Sequence, residues 1–365
     1  MTTPVKLPKL PRFPKHPFIS ICTPTFNRRP FFPYIIKCFE NQTYPRDKME
    51  WIIIDDGTDK IEDMVAHIPQ VKYFKYDEKM FLGKKRNLAH KKASGDIIIS
   101  MDDDDYYPPD RVSHAVDMLR TNPNAFCAGS SEMYIYFKHI KQMYRFGPYG
   151  PNHCTAATFA FRKELLTITS FEDNAAVAEE RHFLKDYTIP FVQLNPMKSI
   201  LVFSHTQNSF DKKHLLESPN QFMGVSDKKV EEFVKEEDLR AFFMEDIDGL
   251  LEIYEPGRPE NKPDVLKQLD EIKQKREAMI KDHQNKMIEY NETLNKVHQF
   301  YNQQLGQNVL GNYEGRINQM SVMLQELTME NTLLKDKVKY LEDKIRQIIT
   351  EQIEKKKQLV NNKTE

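Results

Sequence analysis

The chain has two textures, and the break between them lies near Pro263. Before it, short continuous apolar runs are separated by turn-rich and helical stretches. Ile19-Ser20-Ile21-Cys22, Trp51-Ile52-Ile53-Ile54 and Ile97-Ile98-Ile99 are such runs. Strands apolar at nearly every position are strands covered on both faces. Between them the pattern predicts helices near 32–41 and over 83–93, so strand and helix alternate as in a parallel α/β sheet. Residues 106–215 continue as mixed α and β, with a helix near 110–120 and strands near 125–129, 133–137 and 199–203. A Gly/Pro loop at 147–152 and a strand-helix unit over 155–166 complete this part. Residues 227–255, with eleven acids against four bases, read as an acidic helical stretch ending in a proline-punctuated linker. Residues 1–17 hold five prolines and four Lys or Arg, so no helix continues through them and they form a basic arm.

Beyond Pro263 no proline occurs in the remaining 102 residues, and the only glycines are Gly306, Gly311 and Gly315. Long helices with one interruption are expected: a helical segment over 264–304, a hinge over 305–316 and a coiled coil over 317–358. With Ile317 as position a, the a residues are Ile317, Leu324, Asn331, Val338 and Ile345. The d residues are then Met320, Leu327, Leu334, Leu341 and Ile348. Branched residues at a, Leu at most d positions and one central polar a residue favour a parallel two-stranded coiled coil. Glu330 and Lys337 at g face Lys335 and Glu342 at e of a partner, so self-association through 317–348 is expected. The alternative is a hairpin with the weaker apolar repeat of 266–301.

Charge removes several functions. Lys and Arg number 53 and Asp and Glu 54, so no basic field calls for nucleic acid. No apolar run approaches the roughly 20 residues that span a bilayer, so no transmembrane segment is expected, and the start has no apolar core of a signal peptide. Cys22, Cys38, Cys127 and Cys154 are far apart without a C-x-x-C pair and fit reduced thiols in a cytoplasmic setting. The Asn-, Lys- and Ile-rich composition suits an AT-rich genome, bacterial or that of a large DNA virus, whose protein would work in host cytoplasm or virion.

The chemistry concentrates at two strand ends. Asp55-Asp56 follows one apolar run and Asp102-Asp103-Asp104-Asp105 another, and open α/β sheets bind ligands at the carboxyl ends of their strands. Four adjacent carboxylates repel one another, and a hard divalent cation, Mg²⁺ or Mn²⁺, relieves the repulsion. The alternative is a solvated acidic turn before a helix.

Four stretches, ISICTPTFNR (19–28), WIIIDDGT (51–58), GKKRN (83–87) and SGDIIISMDDDD (94–105), together resemble the nucleotide-sugar half of family-2 glycosyltransferases of the GT-A fold. The resemblance thins over 125–215 and does not reach the C-terminal hundred residues. It implies a GT-A domain over 18–215, extended by 216–263. Within it, Pro24 and Thr25 would line the nucleotide cleft, Asp56 would accept from the base (uracil in relatives that use UDP), and Arg86 would lie near the diphosphate. Asp102 and Asp103 would reach the ribose and the metal's water shell, and Asp104 would bind the cation together with Asp102. His205 resembles a downstream metal-binding histidine. Glu179-Glu180 stands where the family places its acidic pair, whose second member is the general base of inverting enzymes. The expected reaction moves a sugar from a nucleotide-diphosphate donor to a hydroxyl of a glycan, protein or other acceptor. A nucleotidyltransferase of related fold is the rival, weakened by the absence of glycine from ISICTPTFNR; an inactive head on a coiled-coil scaffold is the third reading.

Overall fold

The structure is a computed structural model that describes residues 7–8, 10–177, 180–208, 211–217, 220–305 and 310–361. Its first half is built from β1 (Ile19–Thr25), β2 (Met49–Asp55), β3 (Val71–Lys75) and β4 (Ile97–Ser100). Shorter strands follow: β5 (Cys127–Gly129), β6 (Met133–Phe137), β7 (Gln142–Phe146), β8 (Ala160–Arg162), β9 (Phe191–Gln193), β10 (Val202–Ser204) and β11 (Met223–Val225). Seven of them form one sheet in the order β3-β2-β1-β4-β8-β5-β9. β1 to β4 run parallel, and β8 is antiparallel to both of its neighbours. This is the mixed α/β sheet expected from the motifs. The remaining four strands form a second sheet, β10-β6-β7-β11.

The continuous apolar runs are explained by two cores, one on each face of the large sheet. Ile19, Ile21, Trp51, Ile53, Ile97 and Ile99 point to one, while Cys22, Ile52, Ile54 and Ile98 point to the other. Successive side chains of a strand alternate between faces, so a strand buried on both sides leaves no polar position. The expected helices are present as Phe32–Glu40, Leu82–Lys92 and Arg111–Thr121. Glutamate enters the sheet in partnership. Glu50, buried in β2, accepts from Ser20 and Ser94 and pairs with Lys72.

The acidic stretch after residue 216 is part of the domain. Val230, Phe233, Leu239, Phe242, Phe243, Ile247 and Leu251 all belong to the first core, and the compact unit runs to Lys275. All four cysteines are buried free thiols.

The second unit, Arg276–Glu365, is helical where described. One helix runs Pro263–Leu305 and another Leu310–Asn361. Helix resumes at Leu310, inside the stretch expected as a hinge, so Gly311 and Gly315 are helical; residues 306–309 lie outside the described residues. Ile317, Met320, Leu324, Leu327, Leu334, Val338 and Leu341 are exposed along the second helix; the side chains of Ile345 and Ile348 are outside the described set. No described helix is long and apolar enough to cross a membrane.

Candidate active site

Parallel strands deliver their carboxyl ends to one edge of the sheet, and that edge holds the charge. Thr25, Asp55 and Asp56, and the acids after Ser100, meet there because β1 pairs with both β2 and β4. A solvent-open cleft of about 610 Å³ lies at this edge. Pro24, Phe26, Arg28, Lys85, Arg86 and Asp102 to Asp104 line it, together with Lys79, Lys262, Asp264 and Val265.

Asp102, Asp103 and Asp104 are each matched by a cation. Arg86 grips Asp102 with both guanidinium nitrogens, at 3.1 and 3.3 Å. Arg28 donates to Asp104 Oδ2 at 3.1 Å and lies 3.6 Å from Asp103. Its other nitrogen donates to the carbonyl of Gln207 at 2.8 Å, which ties the end of β1 to the segment carrying His205. His205 Nε2 is 3.3 Å from the same Asp104 oxygen. Burial, with Arg28 also opposing it, keeps the imidazole neutral by pulling its pKa down to about 3. Burial would raise Asp104, yet Arg28 and His205 hold it well below the usual carboxylate range. Asp103 moves the other way, to about 7, through burial that Arg28 only partly offsets and through the neighbouring Asp104. Asp105 is raised by burial and by Asp104, and its Oδ1 is a buried oxygen without a partner.

Other expected residues stand further back. Asp56 is fully buried, with Oδ1 accepting from Lys85 Nζ at 2.8 Å and Oδ2 from the backbone of Met80 at 2.6 Å. It supports two lining residues and does not itself line the cleft. Thr25 is likewise set back; its carbonyl accepts from Asp56 and Lys85, each at 3.4 Å. Glu180 opens a short helix, Glu180–Phe183, and is not a lining residue, whereas Ala176, four positions earlier, is. Glu179 lies outside the described residues. Asp102, Asp103 and Asp104 are brought together with Arg86 as expected.

Sequence reasoning assigned no role to Arg28, Lys85, Phe26 or Lys262. Arg28 and Phe26 sit inside the TPTFNR turn and Lys85 beside Arg86, so adjacency to known motif positions was their only signal. Lys262 had none, since it lies in a polar linker between prolines. It is buried, and burial together with Arg28 draws its pKa down to about 6.

Residues Asp104 and His205 suit a divalent cation. Their donor atoms are 3.3 Å apart, and neighbouring ligands about 2.1 Å from one octahedral ion are roughly 3 Å from each other. No three His, Cys, Asp or Glu side chains among the described residues are grouped to enclose an ion, so other ligands would come from substrate oxygens and water.

Residues 20–172 match the sequence model of the family described as Glycosyl transferase family 2. Among curated relatives, the glucosyl-dolichyl phosphate glucuronosyltransferase of Haloferax volcanii is 26% identical over 117 residues, 31% of this chain and 37% of that protein. The poly(ribitol-phosphate) β-N-acetylglucosaminyltransferase TarS of Staphylococcus aureus is 27% identical over 113 residues, 27% of this chain and 18% of that one. The chain thus spans little more than a third of the first relative and less than a fifth of the second. Among solved structures, the mannosyltransferase PcManGT of Pyrobaculum calidifontis, in complex with GDP-Man and Mn²⁺, aligns with a TM-score of 0.43 at 16% identity, covering 66% of this chain and 73% of that one.

Proposed function

We propose that this protein is a metal-dependent, inverting glycosyltransferase that moves a sugar from a nucleotide-diphosphate donor, a UDP-sugar in the first instance, to an acceptor hydroxyl. The observation that carries the proposal is the meeting of the buried His205 at 3.3 Å with Asp104, which lines one cleft with Arg28, Arg86 and Asp102. A divalent cation held by Asp104 and His205, with Asp102 nearby, would neutralise charge on a departing diphosphate. Arg86 presents a planar guanidinium suited to phosphate oxygens, and its grip on Asp102 fixes its direction in advance. Phe26 offers an apolar face and Pro24 a rigid wall to the nucleoside. Asp56 fixes Lys85 and the Met80 backbone, and so would shape the pocket for the base. Glu180, or Glu179 next to it, would take the proton from the attacking hydroxyl. A second copy would join through the 317–348 stripe.

The test is incubation with Mn²⁺ and individual nucleotide sugars, with UDP-GlcNAc and GDP-Man among them. Nucleoside diphosphate should be released, and the product should have the opposite anomeric configuration by NMR. Asp104→Ala should lower turnover by at least about 100-fold, in keeping with the loss of one preorganised electrostatic contact. Unchanged turnover in that variant, or pyrophosphate release from nucleoside triphosphates in place of this activity, would remove the proposal.

A further inference from the structure

Five cations line the cleft: Arg28, Lys79, Lys85, Arg86 and Lys262. Four have acidic partners. Arg28 pairs with Asp103 and Asp104, Lys79 with Asp264, Lys85 with Asp56 and Arg86 with Asp102. Lys262 differs. Among the described residues it makes no ion pair, and its Nζ donates to the backbone carbonyl of Gln207 at 3.2 Å. That carbonyl already accepts from Arg28. A buried lysine with one neutral, shared acceptor has lost water without gaining a direct ionic partner, an arrangement that disfavours its charged form.

The chain holds Lys262 there by dedicated contacts. Asn27 donates to the carbonyl of Pro256 at 2.9 Å. Gly257 passes so near β1's end that a Cβ on it would lie 2.8 Å from the carbonyl of Asn27, so no larger residue fits. Gln207 reaches the carbonyl of Leu251 at 3.0 Å. Past Lys262, Asp264 pairs with Lys79, Val265 is buried, and Gln268 accepts from the backbone of Ala176 at 2.7 Å. Residues 256–268 therefore form a strap over the cleft, fastened at both ends, with an uncompensated lysine in its middle. None of it belongs to the stretch that matches the family.

Resting on the reading of the cleft as a nucleotide-sugar site, we infer that Lys262 is a diphosphate-binding residue supplied by the strap from outside the family domain. An anionic diphosphate provides the counter-charge that the protein withholds, and three ammonium protons, of which one is engaged, leave donors for its oxygens. The neighbouring Arg28 and Arg86 are already neutralised by aspartates, so Lys262 is the cation that adds new attraction when the ligand arrives.

The experiment uses the full chain with Mn²⁺ and compares wild type, Lys262→Met and Lys262→Arg. Calorimetry gives affinity for UDP and GDP, and ligand-observed NMR titration gives affinity for uridine and guanosine. Lys262→Met should weaken diphosphate binding by about 10- to 100-fold, the range for a charge-assisted contact, and leave nucleoside binding within about twofold. Lys262→Arg should keep most of the diphosphate affinity. Without ligand, Lys262→Met should melt no lower than wild type, because it removes a buried polar group that has one shared partner. If diphosphate affinity is unchanged in Lys262→Met, the inference fails although the cleft still binds nucleotides. If nucleoside and diphosphate fall together and melting drops, Lys262 is structural and the inference fails too. If wild type binds neither diphosphate, the reading of the cleft itself has failed, and the inference with it.

Discussion

Glu50 is a carboxylate placed inside a sheet, where an isolated charge would not be tolerated. Burial pushes its pKa up, but Lys72, Ser20 and Ser94 together hold it below the ordinary value. A carboxylate depressed in the folded state contributes stability that is fully present above its unfolded pKa and is lost as pH falls through the folded one. Glu50→Gln should therefore cost about 2 kcal/mol at pH 7 in urea unfolding, the worth of hydrogen bonds to a charged group. The difference from wild type should shrink as pH falls below the ordinary glutamate value of about 4.3, where the unfolded chain takes up the proton first, and vanish below the lower folded value. An undiminished difference at pH 3 would show that the ionic form is not what matters. The same logic at the cleft separates Asp104, kept ionised by Arg28 and His205, from its neighbour Asp103, which is pushed toward the neutral form.

At the scale of elements, the strands that carry the site were legible, and of those that frame it some were and some were not. β1, β2 and β4 are buried on both faces and announce themselves as unbroken apolar runs, and the acids that follow them could be read as a site because parallel strands share one exit edge. β5, β6, β8 and β10 fall on or beside the strands read near 125–129, 133–137, 155–166 and 199–203, whereas β9 and β11 have only three residues each, too short for any period to register, and the chain gave no apolar run for β7. Lys262 was invisible because nothing local distinguishes a lysine in a linker from one folded back over a cleft. Helix packing gives a test of its own. Gly83, in the first turn of the Leu82–Lys92 helix, donates to the carbonyl of Ala175 at 2.8 Å, and an added Cβ would collide with the carbonyl of Glu172. Gly83→Ala should lower stability by about 1–3 kcal/mol, as overpacking does, read from the urea midpoint, and should shift the 172–176 segment, read from hydrogen exchange there. A variant as stable as wild type would mean that this contact yields easily.

For the whole molecule, an exposed apolar stripe runs along the described part of the last helix, and pairing with a second copy is the proposal that covers it. Light scattering of the full chain should give twice the 43.1 kDa of one protomer. Replacing Leu327 and Leu334 together with lysine should return a monomer while turnover per chain stays within about twofold. Asn331→Val should raise the melting temperature of the assembly and blur its single oligomeric state, since a polar a residue sets register at a cost in stability. A monomeric wild type would leave the stripe without its proposed partner.

Pro263 opens the long helix directly after Lys262. Anyone trimming the protein to a minimal enzyme would naturally cut at residue 172, where the family likeness stops, or at the prolines near 256–263, where the linker looks dispensable. Either cut deletes one wall of the cleft. An expression boundary that preserves the pocket has to run past Gln268 and keep the first turns of what looks, on paper, like a tail.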